Sequence, residues 1–424
     1  MKHLCLALTL GASACGPSDE PPPTGDAADG RDGSDAASDA DTADSDDPTL
    51  APIGDFGWDG LACPDGTALA QGPEDPRARW CERPGGVRHG PFGRWHQADG
   101  SKAEGGQYAE GVPSGTWRTW YPGGTVSAEG PRDGDGRTGS WTSWRADRSR
   151  ESVGDYRSDL RDGAWTWYWP HGATQAEGSY EAGLEVGTWH TFYPDGGADE
   201  TRTYAAGVLD GAYAEQHENG QRAAEGAYVD GLRSGPWTTW YDDGTKASSG
   251  SYSEGLESGV WQLWERDGLP AATGPYSAGL QDGTWSLWQW QQGERIKSTG
   301  EVIQGLADGH WVATHDPGGE PAGELTYHLG RREGPATAIW KSGHTLSEGS
   351  YLADLPDGPW KFYTSSGQLF IDCSFVQGEL DGAYHDYYED GSPKSEGTYA
   401  IGLKRGLWTY WTADGDSRTV EESP

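Results

Sequence analysis

The stretch "GPWTTWYDDGTKASSGSYSEGLES", residues 235–258, decides the fold. It reads as an aromatic segment, an Asp-Gly turn, a second segment ending in Tyr252, and a Gly-led turn. Thr, Trp and Tyr favour strands, and no apolar stripe of helical period runs through it. An Asp-Gly dipeptide between two such runs signals a hairpin, because both residues can take positive φ. With Asp243 and Gly244 as the two loop residues, Trp237 faces Gly250 and Gly235 faces Tyr252. Each large ring then lies opposite a residue without a side chain. The same bookkeeping around Asp390–Gly391 sets Tyr384 opposite Gly397 and Gly382 opposite Tyr399. The connection "GLES", 255–258, brings Tyr252 beside Trp261 on the face of Trp237. Trp240 points to the other face, because strand side chains alternate. Two aromatic columns follow, one on each face.

The unit recurs. A Gly two residues before an aromatic position stands at 115, 139, 163, 187, 211, 235, 259 and 283, each 24 after the last, then at 309, 334, 358, 382 and 406. Gly90 precedes the series, so fourteen units fill residues 90–415. One hairpin is marginal alone, but a stack is stabilised by its neighbours. The predicted fold is all-β: an elongated single-sheet antiparallel β-meander, or solenoid, of about 14 hairpin repeats. About 28 strands at ~4.8 Å would run on the order of 130 Å before twist. The string G-x-Y-x-x-G-x-x-x-G-x-W, as in "GTYAIGLKRGLW" at 397–408, resembles the MORN repeat. More narrowly it resembles the 24-residue variant of bacterial proteins described as antitoxin-like. The resemblance implies an antiparallel β-meander and no particular reaction.

Composition agrees with aromatic burial. The 424 residues include 67 Gly and 23 Trp but only 6 Phe and 1 Met, and 34% are hydrophobic, below the usual level. The net charge of −36 excludes a nucleic-acid partner, which needs a basic footprint, and repels anionic headgroups. The N-terminus "MKHLCLALTLGASACG" has a positive start, an apolar core and small residues before Cys15, the pattern of an export signal over 1–15. "ASAC", 12–15, resembles a bacterial lipobox, which implies lipidation (palmitate) at Cys15. Gly16 after it implies the outer membrane, with secretion as the alternative. The membrane is then touched only through this lipid.

Residues 16–50 are a Pro-, Asp- and Ala-rich linker, with ten Asp, one Glu and one Arg in 17–50. Such a sequence is expected to be disordered and to act as a tether of roughly 30 Å reach. An exported compartment permits a disulfide between Cys63 and Cys81, stapling 51–89 as a cap over the first repeat edge. Cys5 leaves with the signal. Cys373 stands where Gly250 and Gly397 stand in other units and reads as a packed, inert thiol. The charged end, 416–424, is expected to fray.

Chemistry-bearing patterns are sparse. "GDGRTG", 134–139, is an inter-repeat turn rather than a nucleotide loop, which needs a strand before it and a helix after it. His310 and His315, five apart on a strand, fall on opposite faces and read as surface residues. Glu177, Glu225, Glu348 and Glu396 recur at one repeat position and read as a solvated stripe. A weak cation site is the alternative, but no metal is expected there. No catalytic residue and no cofactor are expected, so the chain reads as a non-enzyme. The better lead is the second aromatic column, Trp120, Trp144, Phe192, Trp240, Trp264 and Trp288, as candidate binding residues. The expectation is an extracytoplasmic, lipid-anchored scaffold for protein–protein interaction at the cell envelope. The alternatives are a carbohydrate-binding module and an antitoxin-like protein.

Overall fold

The computed structural model describes residues 61–422 except 74, 76 and 292, with backbone only at 421 and 422. The export signal at 1–15 with Cys15, the linker at 16–50 and the first part of the cap, 51–60, lie outside the described residues. The described chain divides between Val208 and Leu209 into two compact units. Among the described residues there is no helix, and in each unit the strands form an antiparallel meander that does not close into a barrel.

The register is the one the sequence dictates. Gly235 pairs with Tyr252 and Trp237 with Gly250, and Gly382 pairs with Tyr399 and Tyr384 with Gly397. The turns differ. At the Asp-Gly position the loop has three residues, Asp242 to Gly244, closed by Tyr241 N–H on the Thr245 carbonyl at 2.8 Å. Gly244 takes positive φ (83°) while Asp243 does not, and the Asp243 carboxylate accepts the Thr245 N–H at 2.8 Å. This is a type I turn followed by a glycine bulge. An extra residue at Ala247, between the Trp240–Lys246 and Thr239–Ser248 pairs, restores the register. The two-residue loop with both φ positive sits at the other connection, where Glu254 (53°) and Gly255 (81°) join Ser253 to its partner Leu256.

That second connection carries the feature that places the rings. Ser251 pairs with Ser258 and Ser249 with Gln262, so Gly250 alone opposes Gly259, Val260 and Trp261. Gly259 leads this wide bulge at φ 70°, a conformation open mainly to glycine. The bulge swings Trp261 over the strand behind it. A Cβ built on Gly250 would stand 2.1 Å from Trp261 Cδ2, and one on Gly226 would stand 2.2 Å from Trp237 Cε2. The glycine opposite Trp237 is therefore covered by the next unit's indole, Trp261, and not by Trp237. The indole N–H satisfies a carbonyl of the same strand: Trp261 Nε1 donates to Ser251 O at 3.2 Å and Trp285 Nε1 to Pro275 O at 3.0 Å.

Two units exchange volumes without losing the fit. Leu325 (0% exposed) takes the glycine position, and its partner Ala336 takes the Trp position. Cys373, buried and unbridged, takes the glycine position and Tyr384 the Trp position. The Trp–Tyr ladder runs through both units. In the N-terminal unit Tyr156–Trp165 and Tyr180–Trp189 meet edge-to-face at 5.0 and 5.1 Å. In the C-terminal unit Tyr252–Trp261 and Tyr276–Trp285 do so at 5.1 and 5.2 Å.

Cys63 and Cys81 are bridged, and Ala68–Gln71 and Ala78–Arg83 pair ahead of the repeat strand Val87–Trp95. At the other end Ser417–Glu422 is a strand rather than a frayed tail, with Val420 opposite Trp408. Its one apolar residue, Val420, falls opposite the fully buried Trp408, and backbone pairing from Trp411–Ser417 to Gly406–Glu422 holds the strand in place despite its charge.

Candidate functional site

The buried column is structural. Cations roof it: Arg161 lies 5.0 Å from the Trp165 ring, Arg233 4.9 Å from Trp237 and Lys404 4.0 Å from Trp408. This is an attraction available over aromatic faces. Burial pushes the Tyr180 phenol up to about 12, although the Arg161 guanidinium, 3.1 Å from its oxygen, pulls the other way. Burial likewise pushes Tyr327 up to about 12, against the pull of Arg332. An unfolded Tyr titrates near 10, so both rings add stability that is complete below pH 10 and is lost as pH rises towards 12. Alkaline titration should therefore show cooperative loss of the β signal between pH ~10 and ~12, together with the last tyrosinate absorbance. Full tyrosine ionisation near pH 10 with the fold intact would contradict this.

The six rings singled out in the sequence, Trp120, Trp144, Phe192, Trp240, Trp264 and Trp288, are each half-buried. Tyr168, Tyr363, Tyr387 and Trp411 occupy the same repeat position and are also half-buried. Cations lie over several rings of this column: Arg222 at 5.9 Å from Trp240, Lys246 at 5.4 Å from Trp264 and Lys297 at 5.2 Å from Trp288. Their backbone is stitched to the preceding unit. His96 Nε2 bonds the Trp120 carbonyl at 2.8 Å, Tyr121 Oη donates to Trp144 O at 3.1 Å, and Trp169 Nε1 donates to Phe192 O at 3.1 Å. His217 Nε2 and Tyr241 Oη do the same at Trp240 and Trp264, at 2.9 and 2.8 Å.

The other sequence candidates separate. "GDGRTG" is the expected turn, with Asp133 paired to Gly136 and Gly139 at φ 57°. Glu348 accepts the Tyr363 hydroxyl at 2.7 Å, and Glu225 pairs with Arg222 at 3.4 Å. Among the described residues no three His, Cys, Asp or Glu converge as a metal ligand set. His310 is exposed, 3.2 Å from Glu324. His315 is not the surface residue its spacing suggested: it is 6% exposed, because the lengthened strand Leu306–Asp316 keeps it within the ladder, paired with the buried Ile296.

Sequence reasoning missed a third periodic feature. The residue directly after most loops of the Glu254–Gly255 type is an exposed aliphatic: Val112, Leu160 and Leu184 in the N-terminal unit, and Leu232, Leu256, Leu280, Leu306, Leu355 and Leu403 in the C-terminal unit, with Gly136, Arg331 and Glu379 interrupting the series. Each is close to half exposed, between 43% at Val112 and 52% at Leu403. Leu232 also shields the next loop, with Cδ2 3.3 Å from the Cβ site of Gly255. The signal was the recurring Gly-Leu at 231–232, 255–256 and 279–280, overshadowed by the aromatic residues.

Residues 380–400 match a family model described as a MORN repeat variant, which supports a MORN-repeat protein. That segment holds the Gly382–Tyr399 and Tyr384–Gly397 pairs, and the same pairing recurs as Gly163–Tyr180 and Trp165–Gly178 in the N-terminal unit. No curated protein matches the chain. Among solved structures, "Crystal Structure of TcdB2-TccC3 without hypervariable C-terminal region" is similar at 10% identity and a TM-score of 0.14, over 82% of this chain and 19% of that one. The chain thus spans about a fifth of that structure's chain, and so distant a likeness bears on neither fold nor function.

Proposed function

We propose that this chain is an extracytoplasmic, lipid-anchored, non-catalytic repeat scaffold that holds a basic protein partner at the cell envelope. The observation behind it is the aliphatic stripe, unbroken through Leu232, Leu256, Leu280 and Leu306 of four successive repeats, each about half exposed and directly after the two-residue loop. With two strands per unit, its members recur roughly every 10 Å. Scattered exposed aliphatics need no explanation, but a contiguous row marks an interaction surface. The net charge of −36 attracts a basic partner to the protein and repels acidic ones. Cys15 supplies the anchor and residues 16–50 the spacer.

A photocrosslinker at Leu256 in cells should capture one defined basic protein that a crosslinker at exposed Ser365 does not. Replacing Leu232, Leu256 and Leu280 together by Ser should abolish the capture while leaving the melting temperature within a few degrees, since exposed substitutions each change stability by about 0.5 kcal/mol or less. Cys15→Ser should remove labelled palmitate from the protein and release it from membranes. A triple variant that still captures the partner, or a palmitate label indifferent to Cys15, would sink the corresponding half of the reading.

A further inference from the structure

The repeat loses its step of 24 between Gly283 and Gly334, with intermediate Gly309, and the added residues build a recess. Glu294–Ile303 and Leu306–Asp316 lengthen to 10 and 11 residues. Two cavities of about 300 and 410 Å³ lie along them, and Glu294, His315 and Lys341 line both. The first is walled by Ile296, Ala313, Ile339 and Trp340. The second is flanked by Trp290, which is 64% exposed.

Three polar facts set the chemistry. Arg295 is buried and spent: its Nη1 lies 2.7 Å from Asp316 Oδ2, and its other nitrogen donates to the Pro270 carbonyl. His315 is buried but unspent. Its Nδ1 lies 2.9 Å from Glu294 Oε2, off the angle of a hydrogen bond, and Nε2 has no partner among the described residues. Lys341 is exposed. A buried imidazole with a carboxylate beside it but neither ring nitrogen hydrogen-bonded is unfavourable unless something enters to meet it.

We propose that this recess binds a neutral saccharide of one or two rings, with hydroxyls on His315, Glu294 and Lys341 and one sugar face on Trp290. The free charges, one carboxylate and one ammonium, balance, so an ionic ligand would set its charge against a like one. Hydroxyls both donate and accept, which suits an imidazole that can do either. An indole offers an apolar face to the C–H side of a sugar ring, and the volumes fall in the range of small-molecule sites. A small zwitterion would satisfy Glu294 and Lys341 but leave the Trp290 face bare. This site is separate from the aliphatic stripe and does not rest on the scaffold reading.

The test is calorimetric titration of the full chain with glucose, galactose, N-acetylglucosamine, maltose and cellobiose, with glycine and glutamate as zwitterionic comparators. At least one sugar should bind and change tryptophan fluorescence. His315→Ala and Trp290→Ala should each weaken that binding about tenfold or more. Trp290 is exposed, so Trp290→Ala should melt with the parent and decides the matter if His315→Ala fails to fold. Binding of no sugar, binding of the amino acids alone, or sugar binding indifferent to Trp290→Ala would overturn the proposal.

Discussion

Gly250→Leu is expected to open the hairpins on either side of it, and Trp261→Ala in the same chain to close them again. A Cβ at Gly250 stands 2.1 Å from Trp261 Cδ2, inside any tolerable contact, and both partners sit on paired backbone that cannot part without breaking the ladder. Overpacking of this kind costs about 1–3 kcal/mol, and more where the neighbour is rigid. Trp261→Ala alone removes a ring that is 2% exposed and should cost about 3–5 kcal/mol. The double variant is not foreign to the chain. Leu325 beside Ala336 already holds the same two volumes in the same two positions, both buried. A coupling of about 2–3 kcal/mol in favour of the pair is therefore expected, read as the non-additivity of the two single substitutions in denaturant melts. Strictly additive losses would mean that the indole is not what fills the space above the glycine.

The same pair shows what sequence could and could not say. Pairing parity followed from alternation and turn phase, so Trp237–Gly250 and Tyr384–Gly397 were readable before any coordinates. Which ring covers which glycine was not, because that depends on the three-residue bulge at Gly259, Val260 and Trp261. The bulge has a sequence mark, the Gly two residues before each Trp, but a period of 24 is equally consistent with a symmetric meander. The turns were exchanged for a related reason. Asp243–Gly244 has the better dipeptide for two positive φ angles, yet it takes the three-residue form, while Glu254 or Ala278, with no local preference for it, adopts φ 53° or 49°. Tertiary pairing of Ser253 with Leu256 and of Ser277 with Leu280 imposes that conformation against propensity. The recess at His315 did leave a trace, in the lengthened steps to Gly309 and Gly334. Its burial did not, because odd spacing assigns a face and says nothing about how deep that face lies.

Trp285 offers the second large effect and separates ring burial from the indole hydrogen bond. Its side chain is 0% exposed, it stands 2.3 Å from the Cβ site of Gly274, and its Nε1 donates to Pro275 O at 3.0 Å. Trp285→Ala loses both contributions and leaves an unfilled slot over a glycine that has nothing of its own to fill it, for about 3–5 kcal/mol. Trp285→Phe keeps an aromatic ring over Gly274 and loses the donor, which should cost about 1–3 kcal/mol. The chain indicates which term is larger. Trp117 is 2% exposed with its Nε1 unpaired, and Tyr384 holds the Trp position without an indole N–H at all. The position thus survives loss of the hydrogen bond but is never left without volume above a glycine. Because each repeat touches only its neighbours, the damage should stay local. Amide exchange over 270–291 should accelerate strongly in Trp285→Ala, mildly in Trp285→Phe, and barely at 393–411 in either variant. If Phe cost as much as Ala, the hydrogen bond to the bulged strand, and not the ring, would be what holds successive hairpins together.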